Sequence, residues 1–535
     1  MGRASYRAQW VLGGIVLSTG CGGGGGADIG STRPNGGTTP STGGAAASLR
    51  GAGGHGASGG AAGVSGYAGI GTGAGAGAGL GGAGAGGPIG GSGGGGNNAA
   101  GGQAMCVPTP TVLPVTGAWV LSNTLVVAQS VTSSKGDAYL ALVGDHGDLP
   151  DDEFLVAACP VDLSEPVFGM AGAAKYFVLI RITPGGTCSW RKRIYAASDT
   201  NVSIAAVDDG VAIAANFLND GKLQNAIRTI HPDGSLGWEL ALPKLAVRLA
   251  SLPAGILIGG AYLKEGNVGG FDLPTTENGV YFARVEAGVP TLVKTFPATV
   301  TGPDTAVYAP WFATRPDGST VFVMDGHNVS FPTLGINVSS LPSAAEIDPS
   351  GTTKWVNQVG AGNGNSGGGY ASIVLGDDGT AYFVGEVLNG PFAGDGTNVA
   401  RRSPLGEWTD TSYPHAHLRS AALVDGALFL GGQFTQSQTL ADTSIEPITP
   451  NTMNAIVGRM DGCGHGSAAV LGNASIHVDV TTVTPLAKGV LVSGMARGAI
   501  GAENPPTCSP ATIAVGNTVL PLNGCITTFV AMVAQ

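Results

Sequence analysis

The chain has 535 residues, of which 93 are glycine, and 41 of these glycines fall within residues 1–105. Residues 106–535 carry 21 Lys and Arg against 35 Asp and Glu, a formal net charge of −14, without a basic run, which excludes a module built to neutralise nucleic-acid phosphates. Because only 11% of the chain is charged, we expect the folded part to be rich in apolar strands.

Residues 1–21 have the pattern of an export signal. Arg3 and Arg7 precede the apolar run 10–17, which is too short to span a bilayer. The next four residues, Ser-Thr-Gly-Cys21, resemble a bacterial lipobox, in which the cysteine is acylated, although Ser18 stands where that motif prefers leucine. The resemblance implies lipidation of Cys21 and, with glycine as the next residue, sorting to the outer membrane. An ordinary secretory signal is the alternative.

Residues 22–105 form a tract of glycine, alanine and serine. A chain of this composition cannot bury a core and behaves as a flexible coil with a root-mean-square span of about 50 Å. We therefore expect a disordered linker that tethers the folded part, residues 106–535. A silk-like β-stack is disfavoured because Leu80, Pro88 and Asn97 interrupt the Gly-Ala alternation.

Residues 106–535 repeat two kinds of two-strand unit. The first has an apolar strand, a turn with Asp or Gly, and a second apolar strand that usually runs into Gly. A second unit follows the first six copies and often opens its last strand with Trp, as at Trp190, Trp238, Trp355 and Trp408. Two hairpins make a four-stranded antiparallel sheet, and about 61 residues per repeat is a little above the propeller period. The seven copies of the first unit are 126–144, 203–215, 249–260, 312–324, 372–385, 420–432 and 483–494.

The seventh repeat lacks its last strand after the apolar run 528–534. A matching strand occurs near the start of the module, where Gly117-Ala-Trp119 has the spacing of Gly406-Glu-Trp408. We expect residues 119–121 to pair with the edge of the last sheet and so to remove a free seam. The outer-strand tryptophans are then expected to pack between neighbouring sheets and not to stack on a ligand.

This sequence pattern resembles the seven-bladed β-propeller repeats of bacterial cell-surface and lipid-anchored proteins, over residues 116–535. The resemblance implies an all-β, seven-bladed β-propeller of four-stranded antiparallel blades and an envelope location, and it transfers no active-site residues. The sequence departs from the pattern in two places: the first unit has an insertion at about 145–174, and the fifth lacks the usual Asp-Pro turn.

Six cysteines remain if Cys21 is lipidated, and an even number in an exported protein indicates disulfides. The sequence does not choose among the possible pairings. No Cys-x-x-Cys occurs, so a metal–thiolate site is disfavoured, and we expect neither a metal nor a cofactor. The favoured pairs are Cys508 with Cys525, Cys159 with Cys188, and Cys106 with Cys463.

Four other features could be chemical sites. His415-Ala-His417 lacks a third metal ligand, so an exposed loop is favoured. Asp208-Asp209 and Asp377-Asp378 each precede Gly and are interpreted as turns instead of calcium loops. The carboxylates within 145–153 indicate a solvated loop, with a cation site as the alternative. Residues 362–368 match a nucleophile-elbow and a dinucleotide pattern, but a strand follows where a helix is needed, so an inter-blade loop is favoured.

Three functions stay open. The favoured one is an envelope-anchored, monomeric binding or scaffolding module that contacts an unknown protein or glycan through loops at one mouth of the ring. It would be an outer-membrane lipoprotein or extracellular protein that touches the membrane through its lipid. The alternative is an extracytoplasmic hydrolase or lyase whose acid and base side chains meet at the channel mouth. The third is a structural envelope component. No motif assigns a catalytic residue, so an enzyme is not the main expectation.

Overall fold

The computed structural model of the protein describes most of residues 112–535. Within the described ranges it has 36 strands and one 3₁₀ turn, Pro332–Leu334, and no helix long and apolar enough to cross a membrane. The signal and the linker lie outside these ranges. The described residues are 112–122, 125–144, 159–163, 175–196, 202–219, 222–243, 247–263, 266–275, 278–300, 307–324, 329–338, 343–359, 370–387, 396–449, 452–462, 464–473, 476–497, 511–522 and 526–535.

The strands follow the predicted apolar runs. In chain order they are β1 (Val115–Ser122), β2 (Leu125–Thr132), β3 (Ala138–Gly144), β4 (Lys175–Ile182), β5 (Cys188–Ala196), β6 (Ser203–Val207), β7 (Gly210–Asn219), β8 (Lys222–Ile230), β9 (Leu236–Ala241), β10 (Val247–Leu252), β11 (Gly255–Leu263), β12 (Asn267–Val268), β13 (Phe271–Asp272), β14 (Asn278–Glu286), β15 (Val289–Val300), β16 (Trp311–Thr314), β17 (Thr320–Met324) and β18 (Val329–Phe331). They continue with β19 (Ile336–Val338), β20 (Ser343–Ile347), β21 (Thr353–Gln358), β22 (Tyr370–Leu375), β23 (Ala381–Val387), β24 (Gly396–Arg402), β25 (Trp408–Pro414), β26 (Ala416–Val424), β27 (Ala427–Phe434), β28 (Gln438–Leu440), β29 (Thr443–Ile445), β30 (Asn454–Met460), β31 (Gly466–Leu471), β32 (His477–Leu486), β33 (Gly489–Arg497), β34 (Ala511–Val515), β35 (Thr518–Leu522) and β36 (Ile526–Ala534).

Most strands form antiparallel groups of four. The first two groups are joined into one sheet by the single pair Ala196 and Phe217. The last group takes its fourth strand from the start of the module, because β1 pairs with β36 and places Trp119 opposite Val530. This is the pairing that the Gly-x-Trp match predicts. The groups are β2-β3-β4-β5, β6-β7-β8-β9, β10-β11-β14-β15, β16-β17-β20-β21, β22-β23-β24-β25, β26-β27-β30-β31 and β32-β33-β36-β1.

The connections at one end of the groups, which we call the turn end, are short. Those from first to second strand and from third to fourth strand are two residues long, as at 208–209, or five, as at 133–137. In each five-residue turn the fourth residue is a glycine with φ between +81° and +92°. Glycine adopts this left-handed conformation without strain, and its N–H donates to the carbonyl of the first turn residue, as from Gly136 to Ser133 at 2.9 Å. The turns predicted at Asp208-Asp209 and Asp377-Asp378 are confirmed.

At the opposite end, which we call the loop end, the connections from second to third strand are eight residues or longer, except 220–221 between β7 and β8. Because neighbouring strands are antiparallel, every connection from second to third strand leaves the sheet there. Several hold additional strand pairs, namely β12-β13, β18-β19, β28-β29 and β34-β35. The longest of these connections are 145–174, 264–277, 325–342, 435–453 and 498–525.

The first strands of the groups contact one another in chain order, and the last of them, β32, contacts β2, so the series is cyclic. Buried apolar side chains fill the spaces between successive groups. One cluster combines Val530 and Leu491 of the last group with Leu140 and Val178 of the first. Four-stranded antiparallel sheets that pack face to face in a closed series are a propeller-type arrangement.

Glycines within second strands let successive sheets approach. A Cβ atom on Gly259 of β11 would lie 2.4 Å from Cε1 of Phe312, which belongs to the first strand of the next group. Phe312 also packs edge to face on Phe282, with ring centroids 5.5 Å apart. At this position, and likewise at Gly431, where a Cβ atom would lie 2.4 Å from Cγ2 of Val483, the glycine makes room for a side chain of the neighbouring sheet.

Candidate functional site

The first strands of the groups, which we call the inner strands, are the candidate site because they surround the centre of the cyclic series. Four of them carry a β-bulge where they pair with their second strands, at Ala128, Ala371, Arg419 and Thr481. A bulge inserts one residue and re-aims the side chain after it. At three of these strands the residue after the bulge is Gln129, Ser372 or Ser420, whose side chain can accept a hydrogen bond.

These side chains, together with Ser203, form what we call the polar belt. In each case a side-chain oxygen accepts a hydrogen bond from a backbone N–H of the next inner strand. The belt thereby satisfies backbone donors that would otherwise face a neighbouring sheet unpaired. The bonds are Ile204 N to Gln129 Oε1 (2.8 Å), Leu249 N to Ser203 Oγ (3.0 Å), Ala421 N to Ser372 Oγ (3.3 Å) and Val483 N to Ser420 Oγ (2.9 Å).

The cyclic series is also tied between its last and first inner strands. The Thr484 hydroxyl of β32 donates to the Ser130 hydroxyl of β2. Sequence reasoning did not find the belt. Its signal is a serine, threonine or glutamine in an otherwise apolar strand, but the bulges that align these residues are not visible in a sequence.

Two arginines interrupt the apolar character of the inner strands. The guanidinium carbon of Arg248 in β10 lies 3.2 Å from the ring centroid of Trp311 in the next inner strand. Arg419 Nη1 in β26 lies 3.3 Å from Asp479 Oδ2 in β32, and their side chains are 11% and 8% exposed. Both contacts join neighbouring sheets. In the second, the guanidinium of Arg419 is the ionic partner of the buried Asp479 carboxylate.

The disulfide predicted between Cys159 and Cys188 is confirmed, with Cα atoms 5.0 Å apart. It fastens residues 159–163, the described part of the insertion, beside the outer strand β5. There Leu163 N donates to Arg191 O, and Arg191 N donates to Val161 O, both at 2.9 Å. The segment therefore covers backbone groups at the edge of β5.

The other cysteine predictions remain predictions. Cys21, Cys106, Cys463, Cys508 and Cys525 all lie outside the described residues. The acidic part of the insertion and the loop 362–368 lie outside them as well, while the strand expected after that loop is present as β22.

The expectation of an exposed loop at His415 and His417 is wrong. His415 lies between β25 and β26 with φ +66°, and His417 lies within β26 opposite Gln433. Both are half-buried, because the flanking Ala416 and Leu418 are in the core at 2% exposure and hold the segment as an inner strand. In the part of the chain that the structure describes, no three His, Cys, Asp or Glu side chains are grouped to hold a metal ion.

The tryptophans pack between sheets, as predicted. Trp190 is 3% exposed, lies 6.2 Å from Tyr139 between ring centroids, and donates from Nε1 to Pro232 O of the next group at 2.7 Å. Trp355 and Trp408 of consecutive groups meet edge to face with centroids 5.8 Å apart. Aromatic rings at these positions stabilise the junctions between sheets.

No protein-family model matches the sequence, and no curated protein matches it. Solved structures with similar backbones include a protein of unknown function from Bacteroides caccae (12% identity, TM-score 0.31, 59% of this chain and 97% of that one). Others are the β-propeller domain of the Trilobed protease from Pyrococcus furiosus (10%, 0.37, 70% and 90%) and a mutant NanB sialidase from Streptococcus pneumoniae (11%, 0.33, 80% and 71%). Likenesses this distant carry no inference about function.

Proposed function

We propose that residues 106–535 form a seven-bladed β-propeller that is held at the cell envelope by a lipid on Cys21 and acts as a binding or scaffolding module for a protein or glycan. The cyclic contacts of the inner strands support the blade count. So do the buried clusters, since each joins two successive four-stranded groups, including the last and the first. In this view each group is a blade, and β1 closes the ring.

The binding proposal rests on the difference in connection length between the two ends of the sheets. At the turn end the strands are joined by two or five residues, whereas at the loop end the longest connections span 145–174 and 498–525. Long connections on a rigid scaffold are where binding surfaces usually lie. Large apolar side chains are exposed within or beside the loop-end connections, including Phe271 at 45% and Val519 at 65%.

The alternative is an extracytoplasmic hydrolase or lyase with its site at the channel mouth. Such chemistry needs acid and base groups with hydrogen-bonding capacity to spare. On the described inner strands the carboxylate of Asp479 lies beside Arg419 and belt hydroxyls such as Ser420 accept backbone hydrogen bonds, but His417 also lies there. The long loop-end connections, and not the inner strands, therefore favour the binding module.

The anchor is tested by metabolic labelling with radioactive palmitate in a bacterial host. We expect the full chain to be labelled and to sediment with membranes, and the Cys21→Ser variant to lose both properties. An unlabelled full chain, or a labelled Cys21→Ser variant, would overturn the lipid anchor.

The binding function is tested by cross-linking and pull-down from envelope extracts with the full chain. We expect a reproducible partner that is lost in the loop-end variants Phe271→Ser and Val519→Ser. The matched controls Val289→Ser and Leu405→Ser change exposed side chains at the turn end, 61% and 88% exposed, and should retain the partner. Turnover of a glycan or ester without any reproducible partner would favour the enzyme instead.

A further inference from the structure

A cavity of about 560 Å³ opens at the turn end between the first two groups of strands. This volume is within the range of small-ligand sites. It is separate from the inner strands and from the long connections, because its walls are turns of both groups. The ionisable side chains that line it are Lys135, Asp137, Arg181, Asp209, His231 and Asp233.

The turn 231–235 forms one wall of the cavity, and side chains of the first group fix it through hydrogen bonds. Pro232 O accepts hydrogen bonds from Trp190 Nε1 (2.7 Å) and from Arg181 Nη1 (3.0 Å). Gly234 O accepts one from Lys192 Nζ at 2.8 Å, and Lys192 is 9% exposed. Burying an ammonium group is costly unless it is well bonded, so these donors fix the turn in one position.

Two ion pairs lie at the wall of the cavity. Arg181 Nη2 lies 2.9 Å from Asp137 Oδ2, and Lys135 Nζ lies 3.1 Å from Asp209 Oδ1. His231 Nδ1 lies 3.3 Å from the other oxygen of Asp209. The lining holds three carboxylates, those of Asp137, Asp209 and Asp233, against the two cations of Lys135 and Arg181. An anionic ligand is repelled by this excess of negative charge. The cavity therefore selects against anions.

Both the carboxylates and the ammonium group at the cavity can form further hydrogen bonds. Asp233 Oδ1 accepts two hydrogen bonds from Ser235, one from its N–H at 2.9 Å and one from its hydroxyl at 2.6 Å. The other carboxylate oxygen, Oδ2, has no partner among the described residues. Asp137 uses Oδ2 for Arg181. The ammonium group of Lys135 has three protons, of which Asp209 takes one.

We propose that this cavity is a binding site for a neutral polyhydroxylated ligand, a sugar unit. A hydroxyl group donates to a carboxylate oxygen and accepts from an ammonium group at the same time, so it matches both kinds of side chain without adding charge. Hydrogen bonds to ionised groups are stronger than those between neutral groups. Because the turn 231–235 is already fixed in position, binding requires little ordering of its carboxylate.

The test is saturation-transfer difference NMR on the full chain. The probes are glucose, galactose and N-acetylglucosamine, with glucuronate and glucosamine as their charged counterparts. We expect transfer to at least one neutral sugar, and a rise in its Kd of about 10-fold or more in Lys135→Ala and in Asp233→Asn, as for the loss of one charge-assisted hydrogen bond.

The matched control is Asp317→Asn. Asp317 lies in an identical Pro-Asp-Gly-Ser turn of the fourth group and accepts Ser319 N at 2.8 Å, but it does not line the cavity. Its variant should bind like the wild type. The proposal is overturned if no neutral sugar receives saturation, if the charged sugars bind more tightly, or if Asp317→Asn weakens binding as much as Asp233→Asn.

Discussion

Removal of the Ser420 hydroxyl tests whether the polar belt holds the propeller together. Ser420 Oγ accepts a hydrogen bond of 2.9 Å from Val483 N across the junction between two inner strands, and Val483 is 5% exposed. In Ser420→Ala the N–H would stay buried without an acceptor, which costs about 1–3 kcal/mol. That free energy corresponds to roughly a 5- to 150-fold loss of protection of the Val483 amide.

Native-state hydrogen exchange followed by NMR or mass spectrometry measures this protection directly, and it does not require unfolding in a single step. The control is Ser444→Ala, in which an exposed serine 3.4 Å from Glu446 is changed, and we expect exchange at Val483 to be unaffected. Equal protection of Val483 in Ser420→Ala and in the wild type would refute the structural role of the belt.

Two further predictions concern packing and pH. Gly259→Ala should lower stability by about 1–3 kcal/mol, because the new Cβ would lie 2.4 Å from Phe312 Cε1, whereas Gly462→Ala, with nothing within 4 Å, should leave the thermal midpoint unchanged. Equal thermal midpoints for Gly259→Ala and the wild type would contradict the close packing of Gly259 against Phe312. The hydrogen bond with Asp442 raises the pKa of His465 above 6.5, so its stabilising effect is present below that pH and is lost as pH rises through the raised pKa. Thermal melts should show this dependence in the wild type and lose it in a His465→Gln variant.

The hairpins could be predicted from the sequence because their causes are local. A turn such as 231–235 needs glycine at one position with positive φ, and Gly234, at φ +85°, supplies it within five residues of sequence. The pairing of β1 with β36 was predictable for a related reason: Gly117 and Trp119 repeat the spacing of a complete unit, so they mark a strand that fits another sheet.

The belt and the histidines were missed because both depend on alignment between sheets. A bulge changes which side of a strand the next residue faces, and nothing in the residues around Arg419 marks one. The pair His415 and His417 was interpreted as an exposed loop because no third metal ligand lies near it in the sequence. The neighbouring Ala416 and Leu418 determine where this segment lies, because their burial in the core keeps His417 in the strand.

The turn 231–235 of the proposed sugar site has a partial signal in the sequence of β5. In β5 every second residue is buried: Cys188, Trp190, Lys192, Ile194 and Ala196 share the covered face. A lysine in that series has to find an oxygen acceptor inside the protein, since an unpaired ammonium group is too costly to bury. The alternation therefore predicts a polar partner on the neighbouring sheet. It cannot identify that partner as a backbone carbonyl in the turn 231–235, because the two segments meet only when successive sheets pack together.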